Sequence, residues 1–232
     1  MFKQIFLFGL MFFWAGAEFN SAEAGSYDSA MRLCRQKMKE NPPQVQVLVN
    51  YGKLKYDFSK DEAQLVELFK KINPDKSVVG KIHGLTDISP QVAIDLRVSR
   101  QSVGKRYICT VPKSVVVHAG FQNPTVYILK TLRKGSCPYR LALRHEQAHL
   151  DIGWTAMMLL GKILKEQLPD IVERSGPRIS VLSDDSNMAA KLSKEYQSAM
   201  QPILDIFQGT LIEEQGKLDT AENYDKEAKV CR

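Results

Sequence analysis

The pattern that most constrains this chain is His145-Glu146-Gln147-Ala148-His149, an H-E-x-x-H sequence. It carries its chemistry only on a helix, where residues four apart lie one turn apart on the same face. There the imidazoles of His145 and His149 can grip a single Zn²⁺. Glu146 is turned about 100° from His145, so it reaches a water at the open metal position without being a ligand. Two histidine ligands, a glutamate base and an open site make up the arrangement of zinc peptidases. The uncharged Gln147 and Ala148 and the apolar Leu150 and Ile152 let this stretch enter a core. The competing reading is a helix whose histidines pair with acids on its own surface.

The rest of the chain supplies a scaffold for such a helix. Ser26 to Glu40 reads as a helix with Met31, Cys34 and Met38 on one side, stopped at Asn41-Pro42-Pro43. Val45, Val47 and Val49, then Leu54, Tyr56 and Phe58 beyond a turn at Asn50-Tyr51-Gly52, alternate as a strand pair. Ser59-Lys60-Asp61-Glu62 reads as a capping box opening a helix that ends at Asn73-Pro74. Short strand character at Val78–Ile82 is followed by strict alternation at Val92, Ile94, Leu96 and Val98. A turn near Gly104 returns the chain into Tyr107–Val111 and the β-branched run from Lys113 to His118. Tyr139 to Leu168 reads as one helix carrying the motif, ended by Pro169, with 170–186 as a loop. A helical tract from Asn187 to Lys229, kinked at Pro202, completes the chain. The expected class is α+β: an antiparallel sheet packed against the long H-E-x-x-H helix and the C-terminal tract, one domain over 25–232.

Residues 1–24 stand apart. Lys3 precedes an apolar run from Ile5 to Ala17, and small residues at Ala15-Gly16-Ala17 and Ala22-Glu23-Ala24 offer cleavage points. This is the pattern of a secretory signal peptide. No other stretch is long and apolar enough to span a bilayer, so the chain without its leader is expected not to span a membrane. Export to the periplasm or beyond gives meaning to the even set Cys34, Cys109, Cys137 and Cys231, which can form two disulfides. The favoured pairing is Cys109–Cys137 with Cys34–Cys231. There is no C-x-x-C pair, which argues against a thiolate zinc site. Removing Lys3, Glu18 and Glu23 with the leader leaves 31 basic and 24 acidic residues, a net of +7. The excess is spread along the chain without the basic stripe that nucleic-acid binding requires, and suits anionic envelope material.

A catalytic zinc needs a third protein ligand. Among the remaining histidines, His118 lies on a strand and His83 in a Gly-flanked turn. The tail is richer. Leu204, Leu211 and Leu218 form a seven-residue stripe, and helical spacing continues it to Glu222 and Asp225. A carboxylate extending an apolar face is costly unless partnered, and a metal would partner it. Glu222 is the preferred third ligand, with Asp219, Tyr224, Asp225 and His118 as alternatives. The opposing reading is a frayed last turn with solvated acids. Asp151, two residues past His149, is a candidate acceptor for a ligand imidazole, and Arg144 reads as exposed or acid-paired.

The order of these features resembles a bacterial family described as predicted secreted zinc-dependent proteases. The resemblance rests on the Gly84-Leu85-Thr86 turn, the strand cysteine Cys109, the H-E-x-x-H helix and a tail segment, and covers most of 44–230. The family's tail runs Q-x-x-Y-D-x-x-T-x-H-G. Gln215 and Asp219 match it, while Leu218 stands for the Tyr, Glu222 for the Thr, Tyr224 for the His and Asp225 for the Gly. If the family's tail histidine is its third ligand, Tyr224 or Glu222 must take that place here. The implied activity is zinc-dependent hydrolysis of a peptide or protein substrate in the cell envelope, with Glu146 as base. The alternatives are a catalytically degenerate envelope binding or assembly module that keeps the fold, and a peptidase of cell-wall crosslinks.

Overall fold

The computed structural model describes residues 26–74, 81–182 and 187–231. The expected leader, residues 78–80 of the expected short strand, and 183–186 of the expected loop lie outside the described residues. In chain order the elements are α1 (Tyr27–Glu40), β1 (Gln44–Asn50), β2 (Lys55–Asp57), α2 (Glu62–Ile72), β3 (Gly84–Asp87), β4 (Pro90–Val103), β5 (Tyr107–Phe121) and β6 (Thr125–Ile128). They continue with α3 (Cys137–Ser175), β7 (Arg178–Val181), α4 (Met188–Leu218) and α5 (Ala221–Lys229). The class is α+β.

The strands form two sheets, and neither is purely antiparallel. In the first, β5 lies between β4, antiparallel to it, and β1, parallel to it; β7 pairs antiparallel with the early part of β5. In the second, the order is β2-β6-β3, with β2 parallel and β3 antiparallel to β6. The expected pairing of β1 with β2 is therefore overturned. Gly52 between them sits at φ +71°, a conformation that favours glycine. A Cβ at that position would lie 2.5 Å from the Phe121 carbonyl oxygen. The chain crosses close beneath the end of β5 there and leaves one sheet for the other. The cap of α2 also differs from expectation: Asp61, not Ser59, accepts from the Gln64 backbone, and the Gln64 side chain closes the box, while Ser59 bonds to Asp57.

Three apolar clusters hold these layers. The largest joins Val115 and Val117 of β5 to Leu160, Leu164 and Leu168 of α3 and to Leu192, Tyr196 and Met200 of α4. A second packs Val126 and Ile128 of β6 against Tyr139, Ala142 and Leu150 of α3. A third gathers Leu65, Leu85 and Leu129. Ile88 and Trp154 belong to the first two and Leu132 to the last two, so the clusters are contiguous. α3 thus runs through both main clusters. It passes Pro169 and ends at Ser175, contrary to the expected stop. Proline forfeits one helical hydrogen bond, but burial of Leu168, Ile171 and Val172 on either side of it returns roughly 1.5–3 kcal/mol per side chain. The segment expected to be loop contributes β7, whose Ile179 lies opposite Cys109.

Two disulfides tie the chain, with a pairing other than the favoured one: Cys34–Cys109 and Cys137–Cys231. The reason is placement. Cys34 is buried on the face of α1 that packs on β5, whereas Cys137 opens α3 and meets the end of α5. Among the described residues no helix is long and apolar enough to cross a membrane.

Candidate metal centre

α3 begins at Ser136, whose hydroxyl accepts from the Tyr139 backbone. Two turns later it places His145, Glu146 and His149 on a face that is 5–9% exposed. Burying two imidazoles and a carboxylate is costly unless each finds a partner. The partners come from the C-terminal tract, which is not one kinked helix. α4 ends at Leu218, Asp219 takes non-helical dihedrals, and Thr220 caps α5 by accepting from the Asn223 backbone. The break directs Asp219 at the motif. Its Oδ1 lies 3.2 Å from His145 Nε2 and 3.1 Å from His149 Nε2, and the two Nε2 atoms are 3.2 Å apart.

The other ring nitrogens are also held. His145 Nδ1 lies 3.3 Å from Glu227 Oε2 on α5, and His149 Nδ1 faces Gln215 Oε1 on α4. Gln215 Nε2 in turn donates to the His149 carbonyl at 2.9 Å. With acceptors at both Nδ1 positions, these partners assign the ring protons to Nδ1. Both Nε2 lone pairs then converge on one point with a carboxylate oxygen. Such convergence is repulsive unless a proton or cation sits within it. Donors around a tetrahedral ion with bonds of about 2.0–2.2 Å stand about 3.3–3.6 Å apart, so a few tenths of an ångström of relaxation would admit a metal. Among the described residues, His145, His149 and Asp219 are the group able to hold one. Acceptors behind ligand imidazoles are the usual support of such centres.

Glu146 is fixed from the opposite side. The Thr86 hydroxyl lies 2.8 Å from its Oε2 and 2.9 Å from its backbone oxygen. Gly84 on the same strand leaves room for it: a Cβ there would meet Glu146 Cγ at 2.6 Å and Oε1 at 2.7 Å. Burial pushes the Glu146 carboxyl above its ordinary range, opposed in part by His149, Thr86 and His145. Burial alone would lower both histidines, but the hydrogen bonds to Asp219 and the surrounding acids hold each above its ordinary value. Asp219 is lowered: burial opposes its charge, but His145, His149 and Tyr224 stabilise it more. The Tyr224 phenol is raised by burial and by its bond to Asp219. That hydroxyl donates to Asp219 at 2.8 Å and sits 3.4 Å from His145 Nε2.

Where Asp219 completes the group, Glu222, the preferred third ligand, stands outside it. Its carboxylate is exposed and pairs with Lys226 at 2.8 Å, because the break after Asp219 resets the helical phase by which Glu222 was placed. Asp225 is exposed on α5. His118 is exposed on β5, and His83 lies before β3; neither joins the cluster. Asp151 and Arg144 are exposed, and the two motif imidazoles meet Glu227 and Gln215 in place of Asp151. Thr86, Gly84 and Glu227 were missed as site residues. Only Glu227 left a local signal, lying three residues after Tyr224 and so on the same helical face.

The fold and site together define an α+β protein with a candidate two-histidine, one-carboxylate metal centre beside a buried glutamate. Comparison with known proteins adds no relative: no family model, no curated protein and no solved structure matches the chain.

Proposed function

We propose that this protein is a zinc-dependent peptidase exported to the cell envelope. The observation that carries the reading is the meeting of His145 Nε2, His149 Nε2 and Asp219 Oδ1 next to a buried Glu146 held by Thr86. Gln215 and Asp219, which match the tail of the resembled family, are also the tail residues that touch His149. Nitrogen and carboxylate donors in this number suit a catalytic Zn²⁺, and the two disulfides suit an oxidising compartment.

Bound there, Zn²⁺ would supply Lewis acidity toward a water and a scissile carbonyl. Glu146 takes the proton of the attacking water and passes it to the departing amine. Its raised proton affinity makes it a stronger base than a solvated carboxylate, and Thr86 sets its angle. Glu227 and Gln215 hold the two imidazoles in the tautomer that offers Nε2. Tyr224 stays neutral and turns its hydroxyl from Asp219 to the developing oxyanion, a donor role that is effective when preorganised.

The test is the purified mature chain, its metal content, and its cleavage of casein and a peptide library. Glu146→Gln is expected to lower turnover by at least about 100-fold with metal content unchanged. Tyr224→Phe is expected to lower it by about 10–100-fold, also with metal retained. Equal cleavage by Glu146→Gln and the parent, or iron in place of zinc in the active protein, would overturn the proposal.

A further inference from the structure

Beside β2 and the first turns of α3, a row of aromatic side chains reaches the surface. Tyr56 lies in β2 and Phe58 one residue past its end, and their rings lie side by side. Their rings are parallel to within 4° with centroids 6.3 Å apart. They are 42% and 46% exposed, although strand aromatics usually bury their faces. Phe58 continues the row to Tyr139, 6.1 Å away. The Gln147 side chain steadies the Tyr56 hydroxyl at 3.4 Å. At the Tyr139 end the row opens into a groove of about 410 Å³ that includes Lys130, Arg133 and Lys134 in its walls. Lys130 is engaged by Asp61 at 3.3 Å, whereas Arg133 and Lys134 are exposed and make no ion pair among the described residues.

We propose that this row and groove form a second binding site for an anionic glycan, with sugar faces stacked on Tyr56 and Phe58 and carboxylates met by Arg133 and Lys134. Half-exposed aromatic rings suit the C–H faces of pyranose rings, and two unpaired cations at one end supply charge complementarity. Nucleic-acid channels instead track a backbone with a continuous basic groove; here Asp57 and Asp61 interrupt the basic residues. The choice of a glycan rests on the envelope location proposed above; the site's geometry does not depend on the metal chemistry. The site would hold the enzyme on a wall polymer while the metal centre acts on attached or neighbouring peptides.

The test uses the full mature chain carrying Glu146→Gln, so that binding is read without hydrolysis. The probes are hyaluronan as anionic glycan, chitohexaose as neutral glycan and oligo-dT as nucleic acid, followed by titration calorimetry at two salt concentrations. Hyaluronan is expected to bind more tightly than either comparator. Tyr56→Ala with Phe58→Ala is expected to weaken it at least tenfold, and Arg133→Gln with Lys134→Gln to weaken it tenfold and flatten its salt dependence. Far-ultraviolet circular dichroism checks that each variant is folded, and the basic-pair variant, altered only at exposed side chains, decides the matter if the aromatic one is not. No hyaluronan binding, binding indifferent to both pairs, or preference for oligo-dT would overturn the site. Failure of peptide hydrolysis in the parent would leave these readings intact and bear only on the metal centre.

Discussion

Asp219 decides whether two histidines one turn apart become a metal centre or a surface pair. It alone among the tail acids reaches both Nε2 atoms. Asp219→Asn should therefore weaken metal binding by on the order of 100-fold, whereas Glu222→Ala should leave it unchanged; competition with a chromogenic chelator reads both. The same residue sets the pH response. His145 and His149 are raised in the metal-free protein, so their protonation stabilises the fold below the unfolded value near 6.5 and that contribution is lost as pH rises through the raised values. Asp219 is lowered, so its contribution is present above 3.8 and is lost only as pH falls through its depressed value. Metal requires neutral imidazoles, so affinity should fall as pH drops through the raised histidine values, with protons released on binding. Titration calorimetry in buffers of different ionisation enthalpy measures that release, and zero release would contradict the assignment. At this scale the motif was legible because its spacing is local. Glu222 was misplaced because periodicity was carried across the Asp219-Thr220 break. Thr86 and Gly84 were not legible as partners of Glu146 because 60 residues separate Thr86 from it.

α5 is a short helix with no buried residue, yet it carries Tyr224 and Glu227 onto His145. Polar contacts from Tyr224, Glu227 and Asn223 hold it there, and a covalent bond adds to them. Cys137–Cys231 fastens its far end to the first turn of the motif helix, closing a span of 94 residues. Replacing both cysteines by serine should weaken metal binding about tenfold through loss of support behind His145, while far-ultraviolet circular dichroism stays near that of the parent. Cys34–Cys109 spans 75 residues and is buried in the main core. Its removal should cost about 4–5 kcal/mol of global stability in the chain-entropy account, measured by denaturant unfolding. An even cysteine count announced two disulfides, but connectivity needs the packing of α1 on β5, which spacing does not encode. Pro169 misled in the same way: the local rule for proline is sound, and buried Ile171 and Val172 outweigh it.

At the scale of the molecule, the α+β class and the long central helix followed from alternation and helical spacing. The division into two mixed sheets did not, because parallel pairs such as β1 with β5 join distant segments without a local turn to announce them. The consequence is that α3 is gripped by two sheets while α4 and α5 close over its motif. Metal at this junction would add a bond between α3 and the end of α4, which already share the largest apolar cluster. Zinc at a hundredfold excess over its Kd should add about 2.7 kcal/mol, raising Tm by roughly 5–10 °C. The most direct measurement is zinc titration of the metal-free mature chain beside its His149→Ala variant. The account predicts one equivalent bound tightly by the parent and loss of that binding in the variant. No binding by the parent, or binding unaffected by the substitution, would contradict it.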